Sequence, residues 1–257
     1  MNNSCVVVFP LYRAPNQQEL AFLEQGIKQT EGFKQVIVAP EDLTVNQSFG
    51  LLAQLEVKRF ANHYFDGIAG YNHLLLSKEF YSSFGFYNYL LIHQADVYLF
   101  KNNLQTWCDK EYDYIGAPFY RPDKLNRSTI YNWLEKAKLC FKKNKIYGSR
   151  YNKVGNGGLS LRKISTALKV LEKANPSLVN KYIVAQGGEF NEDVFWSLEA
   201  PLIIDFKIPT MDEAMQFAIE FHPKVAYKFL GETLPFGCHA PLKHNPEFWK
   251  EHIPIMK

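Results

Sequence analysis

Four short stretches, far apart in the chain, hold the side chains whose types and spacing suit chemistry. Leu91-Ile92-His93-Gln94-Ala95-Asp96 closes an apolar run with a carboxylate. An aspartate at the end of a buried strand is placed to hold a divalent cation, because Mg²⁺ and Mn²⁺ take oxygen ligands and keep positions open for phosphate; capping of a strand-end turn accounts for the same residue. From Val154 to Arg162, three glycines surround Asn156 ahead of Leu159-Ser160-Leu161, a pattern that permits close approach to a ligand or a plain turn. In Asn191-Glu192-Asp193, the asparagine suits a helix cap and the acidic pair its first turn. A carboxylate fixed there can also take the proton from an attacking hydroxyl, with Asp193 the first choice for that base and Glu192 the second. The fourth stretch, Pro235 to Pro241, offers His239, an imidazole suited to the same cation, to a departing diphosphate or to an ordinary loop.

These residues need a scaffold, and the surrounding pattern describes one. Cys5-Val6-Val7-Val8-Phe9 before Pro10 and Val36-Ile37-Val38-Ala39 before Pro40 are short β-branched runs of the kind buried in parallel sheets. Between them, Leu20, Leu23 and Ile27 recur at helical spacing over Gln17–Thr30, with Gly32 as the stop. Strand, helix, strand opens a parallel α/β sheet with right-handed crossovers. A third strand is expected over Glu56–Phe60, a helix over Tyr71–Tyr81, a central strand over Tyr89–Ile92 and another strand at Leu202-Ile203-Ile204. Ligands of open α/β sheets bind beyond the carboxyl ends of the strands, which is where Asp96 falls.

With 257 residues, 47% hydrophobic and 21% charged, the chain reads as one domain with ample core material. A formal net charge of +3 argues against a nucleic-acid binder. The charge is uneven, however: residues 121–153 hold ten Lys and Arg against Asp123 and Glu135, so the remainder is net acidic. Ile130, Leu134, Ala137 and Phe141 share one helical face there, which describes an inserted basic helix that is either simply solvated or able to meet anionic lipid or the pyrophosphate of a lipid-linked acceptor. Binding to anionic vesicles that is lost at high salt would mark the second use. Cys5, Cys108, Cys140 and Cys238 show no zinc-like spacing and read as free thiols. No apolar run reaches the roughly 18 residues of a membrane span, and a cytoplasmic setting, peripheral at most to the inner face of the membrane, is expected.

Taken in order, these segments resemble a family of bacterial proteins catalogued as a domain of unknown function and regarded as glycosyltransferase-like, found among surface-polysaccharide genes. The likeness is carried by the Gly70-Tyr71-Asn72 helix start, the Leu91–Phe100 strand, Tyr114-Ile115-Gly116-Ala117-Pro118, the Gly155–Arg162 loop, Glu192-Asp193 and Phe236-Gly237-Cys238-His239. The wider resemblance to GT-A glycosyltransferases implies a Rossmann-type, mostly parallel sheet flanked by helices, a nucleotide-sugar site, a metal-binding Asp-x-Asp, an acidic pair supplying the base and a late histidine on the metal. Here the Asp-x-Asp stands as Gln94-Ala95-Asp96, so Asp96 and His239 remain as ligands for Mn²⁺ or Mg²⁺, with one charge fewer to hold it.

By the same resemblance, Pro10, Tyr12, Arg13, Tyr71, Asn72, Gln94, Gly157 and Gly158 line the donor pocket. The donor expected is a UDP-sugar, the commonest in that class, and the acceptor a hydroxyl of a glycan or lipid-linked glycan. Two other functions suit an α/β sheet. A sugar nucleotidyltransferase would want a glycine-rich loop after the first strand, which Pro10-Leu11-Tyr12-Arg13-Ala14-Pro15 lacks. A carbohydrate-binding scaffold would need no convergence of Asp96, Asp193 and His239.

Overall fold

The computed structural model describes residues 2–120, 153–184 and 190–256. The basic stretch 121–153, apart from Lys153, lies outside the described residues, and with it the membrane contact expected of it. The strands in chain order are β1 (Asn2–Pro10), β2 (Phe33–Pro40), β3 (Glu56–Phe60), β4 (Tyr89–His93), β5 (Val97–Leu99), β6 (Tyr114–Gly116), β7 (Pro118–Phe119), β8 (Lys153–Val154), β9 (Leu159–Lys163), β10 (Ala218–Ile219) and β11 (Gly237–His239).

The apolar run of β1 is buried from Cys5 to Phe9, as it must be when both faces of a sheet are covered. Alternation divides it between two cores. Val6 and Val8 join Val36, Leu90 and Ile92 under Leu74, Phe80 and Trp196. Cys5, Val7 and Phe9 join Ile37 and Leu91 under Leu23, Phe49 and Trp107. The resulting six-stranded sheet has the order β3-β2-β1-β4-β9-β6. The first four strands are mutually parallel, and β9 runs antiparallel to both β4 and β6. The crossover helix Gln17–Gln29 starts on a capping box made by Asn16 and Glu19. Cys5, Cys108 and Cys238 are free and buried. Among the described residues no helix is long and apolar enough to cross a membrane.

Three local expectations change. The helix expected over Tyr71–Tyr81 is two, Gly67–Leu75 and Lys78–Ser82, because Ser77 is extended and its Oγ caps the second by accepting from the Phe80 amide at 3.1 Å. The Leu91–Phe100 segment is not one strand. It turns at Gln94–Asp96, with the Val97 amide donating to Gln94 O, and β5 joins a second sheet of order β10-β11-β5. Leu202-Ile203-Ile204 is no strand either: Pro201 sits in the first turn of the helix Ala200–Ile203, where a missing N–H costs nothing, and Leu202 is 81% exposed.

Candidate active-site cleft

The turn at Gln94–Asp96 places Asp96 at the carboxyl edge of the main sheet, while the register of the second sheet supplies its partner. β11 runs antiparallel to β5 with His239 opposite Val97, and the Ala240 amide donates to Asp96 O at 2.9 Å. His239 Nε2 therefore lies 3.2 Å from Asp96 Oδ1. The glycine loop enters from the other side, tied down where the Gln94 amide donates to Gly158 O at 3.0 Å.

Asp193 opens the helix Glu192–Val194. Its Oδ2 accepts from the Asn156 amide at 3.0 Å and its Oδ1 from the Val194 amide at 2.9 Å. Burial, then the negative charge of Glu192, and more weakly that of Glu220, push its carboxyl up to about 7 against those two amides. A carboxylate that titrates near neutrality is suited to take a proton from a hydroxyl.

Two further residues join these groups. The glycine motif contains Asn156 without giving it a role, and nothing in the sequence marks Glu220. Asn156 is 5% exposed and adopts φ +58, a left-handed conformation that asparagine tolerates better than most side chains. Its Oδ1 accepts from the Gly158 amide at 2.9 Å, and its Nδ2 donates to Glu220 Oε2 and lies 2.9 Å from His239 Nδ1. Glu220 Oε1 is 3.3 Å from the same Nδ1. Burial alone would depress the His239 imidazole, but the adjacent carboxylates of Asp96 and Glu220 raise it to about 10.

A cleft of about 750 Å³ is lined by all twelve residues anticipated from the sequence: Pro10, Tyr12 and Arg13 from the exit of β1, Tyr71 and Asn72 from the helix Gly67–Leu75, Gln94 and Asp96, Gly157 and Gly158, Glu192 and Asp193, and His239. Several do something other than expected. Glu192, the second choice for a base, has both oxygens engaged in a buried bidentate pair with Arg162, at 2.8 and 2.9 Å. Arg13 is held by Glu19 at 2.7 and 2.8 Å, so a phosphate would have to share it. Asn72 sits inside its helix, where its Oδ1 accepts from the Glu192 amide at 3.2 Å and so caps the helix that carries Asp193. Gly157 and Gly158, besides lining the cleft, make room for neighbouring side chains: a Cβ on the first would collide with Glu192 Oε1 and on the second with His239 Nε2. Gly158→Ala is expected to push the imidazole off Asp96 and weaken any ligand held through that pair at least about tenfold, a loss of roughly 1.4 kcal/mol, measurable by calorimetry.

The model described as "Protein of unknown function (DUF5672)" matches residues 54–239. The chain belongs to this DUF5672 family. The matched span holds Asp96, Asn156, Asp193 and Glu220 and ends on His239, whereas Pro10, Tyr12 and Arg13 precede it. Among curated proteins there is no match. Among solved structures the DUF5672 chain is similar to the WbbM bifunctional glycosyltransferase, at 12% identity with a TM-score of 0.55 over 100% of this chain and 50% of that one. It is also similar to mouse xyloside xylosyltransferase 1, at 11% identity with a TM-score of 0.51 over 92% and 96% of the two chains. A third similarity, 9% identical with a TM-score of 0.48 over 98% and 99%, is to a glycosyltransferase involved in glycosylation of the major capsid of PBCV-1. The chain thus spans about half the length of WbbM. The fold, a mostly parallel sheet flanked by helices, is the GT-A-like α/β class anticipated from the sequence.

Whether this DUF5672 site suits a divalent cation can be tested on its donor set. Two ligands at right angles, each about 2.1 Å from an octahedral cation, stand about 3.0 Å apart, close to the 3.2 Å between Asp96 Oδ1 and His239 Nε2. That nitrogen is buried and has no hydrogen-bond partner. Among the described residues no group of three or more His, Cys, Asp or Glu side chains is arranged to hold a metal. The pair fits a cation whose other ligands are water and substrate oxygens.

Proposed function

We propose that this protein is a glycosyltransferase that moves a sugar from a nucleotide-sugar donor, a UDP-sugar in the first instance, to a hydroxyl of a glycan or lipid-linked glycan. The observation that carries the reading is the convergence of Asp193 and the Asp96–His239 pair on one cleft, from three stretches of chain that share no sequence neighbourhood. A volume of about 750 Å³ is in the range of pockets that enclose small ligands. The shared glycosyltransferase fold supports the same reading.

In this account the diphosphate lies across Asp96 and His239, with Arg13 at the rim, and the exposed ring of Tyr12, 63% accessible, offers a stacking surface at the mouth. Mn²⁺ or Mg²⁺, held by Asp96 and His239, would supply Lewis-acid stabilisation of the leaving diphosphate. Asp193 takes the proton of the acceptor hydroxyl as its oxygen attacks the anomeric carbon, and the bond to the diphosphate breaks. A single displacement of this kind inverts the anomeric centre. Asn156 and Val194 fix both oxygens of Asp193 through backbone amides, so the carboxylate meets the acceptor without reorganising.

Melting temperatures recorded against a panel of nucleotide sugars, with and without Mn²⁺, test this, since a ligand that binds only the native state raises its stability. At least one nucleotide sugar is expected to stabilise the protein, more strongly with Mn²⁺ present. No stabilisation by any member, at concentrations far above ordinary donor affinities, would remove the proposal.

A further inference from the structure

Glu220 is a cleft carboxylate with no part in the chemistry above, yet it is only 8% exposed and directly follows β10. Its Oε2 accepts from Asn156 Nδ2, and its Oε1 stands 3.3 Å from His239 Nδ1. On the far side of the ring, His239 Nε2 makes no hydrogen bond and faces Asp96 Oδ1 at 3.2 Å. A cation that binds the ring displaces one of its protons, and whichever nitrogen keeps the other leaves the lone pair on its opposite partner.

Two neighbours compete for Nδ1. Glu220 would accept a proton from it, whereas the amide of Asn156, 2.9 Å away, would donate one to it. The orientation of Asn156 is fixed because its Oδ1 accepts from the Gly158 amide. A hydrogen bond to a carboxylate is about twice as strong as one between neutral groups, so Glu220 wins the proton and the lone pair is left on Nε2.

We propose that Glu220 is a positioning residue that sets the tautomer of His239, directing the Nε2 lone pair toward Asp96 so that the two can hold a divalent cation. The inference rests on the cation-assisted reading of the cleft and adds to it the residue that makes the histidine a ligand. Glu220→Gln reverses the arrangement in a defined way. Asn156 still needs an acceptor, so the carbonyl of the substituted side chain turns to it and the new amide group faces Nδ1. With donors on both sides, Nδ1 becomes the acceptor and the proton moves to Nε2, where it blocks the cation.

The test is titration of the full chain with Mn²⁺ alone, followed by electron paramagnetic resonance, in the wild type, Glu220→Gln and Glu220→Ala. Loss of a partner that orients a metal-bound histidine costs about 10–100-fold in metal affinity, and a loss in that range is expected for Glu220→Gln at an unchanged melting temperature. The ¹⁵N spectrum of its histidines, recorded where the ring is neutral, should show the proton on Nε2, against Nδ1 in the wild type; a purely structural role would leave the proton where it was. Should Glu220→Gln fail to fold, Glu220→Ala decides, since it leaves Asn156 as the sole partner of Nδ1 and should lose Mn²⁺ equally. Equal Mn²⁺ affinity in wild type and variant, or a proton that stays on Nδ1, would overturn the inference and leave the cation site standing. A wild type that binds no Mn²⁺ would overturn both.

Discussion

Asp193→Asn should reduce sugar transfer by about 10²–10⁴-fold, the range a positioned general base contributes, while leaving the affinity for the donor within about threefold. Asparagine keeps the shape and one of the two acceptor oxygens now bonded to the Asn156 and Val194 amides; what it removes is the ability to take a proton. The same variant should gain stability where the wild type is active. The Asp193 carboxyl is raised from 3.8 to about 7, so the folded protein holds this proton more tightly than the unfolded chain. Its favourable contribution is complete below the unfolded value and is lost as pH rises through about 7. Transfer needs the ionised form, so activity should rise with pH across that same window as stability falls. Asp193→Asn should flatten the stability profile there and raise the melting temperature at pH 8 relative to wild type. Retained turnover by the variant would take Asp193 out of the mechanism, and an unchanged stability profile would remove the physical basis assigned to its raised carboxyl.

The second large effect concerns the fold under the site. Arg162 is 1% exposed; it donates to Glu192 through two nitrogens and also to Tyr81 Oη at 2.9 Å and Ser160 Oγ at 3.1 Å. Arg162→Met strands a buried carboxylate, and breaking such a pair from one side costs about 3–5 kcal/mol. For a chain of this size that is a fall on the order of 10 °C in melting temperature. Most of the loss reflects the unpaired charge, so adding Glu192→Gln to Arg162→Met should recover a large part of it. A double variant as unstable as the sum of its parts would show that the pair is not coupled as described.

How far the sequence reveals these features depends on the range over which each is determined. The alternating burial of Val6, Val7 and Val8 and the capping box of Asn16 and Glu19 are local, and both can be read from a few neighbouring residues. Strand ends and glycine motifs point to one edge of a sheet, which makes Asp96 and the glycine loop legible, whereas Pro10, Tyr12, Arg13, Tyr71 and Asn72 enter only through the family resemblance. Where tertiary context decides, reading fails. Leu202-Ile203-Ile204 looks like a buried strand but lies in and just after a helix that begins at Ala200. Asn72 lies within one helix, yet its side chain caps another that begins 120 residues later. Glu220 carries no local signal, because its partners Asn156 and His239 lie 64 and 19 residues away in sequence. The division of labour between Glu192 and Asp193, adjacent in sequence, is set by Arg162, which reaches only the first.

The most direct measurement is a crystal structure with a bound nucleotide sugar, using a donor found to stabilise the protein and the Asp193→Asn variant to prevent turnover. The account predicts the diphosphate beside Asp96 and His239, with the anomeric carbon turned toward the side chain at position 193 and room between them for one acceptor hydroxyl, which places them about 5–6 Å apart given hydrogen-bond reach on either side. A nucleotide sugar bound elsewhere, or bound in this cleft with its anomeric carbon turned away from position 193, would contradict it.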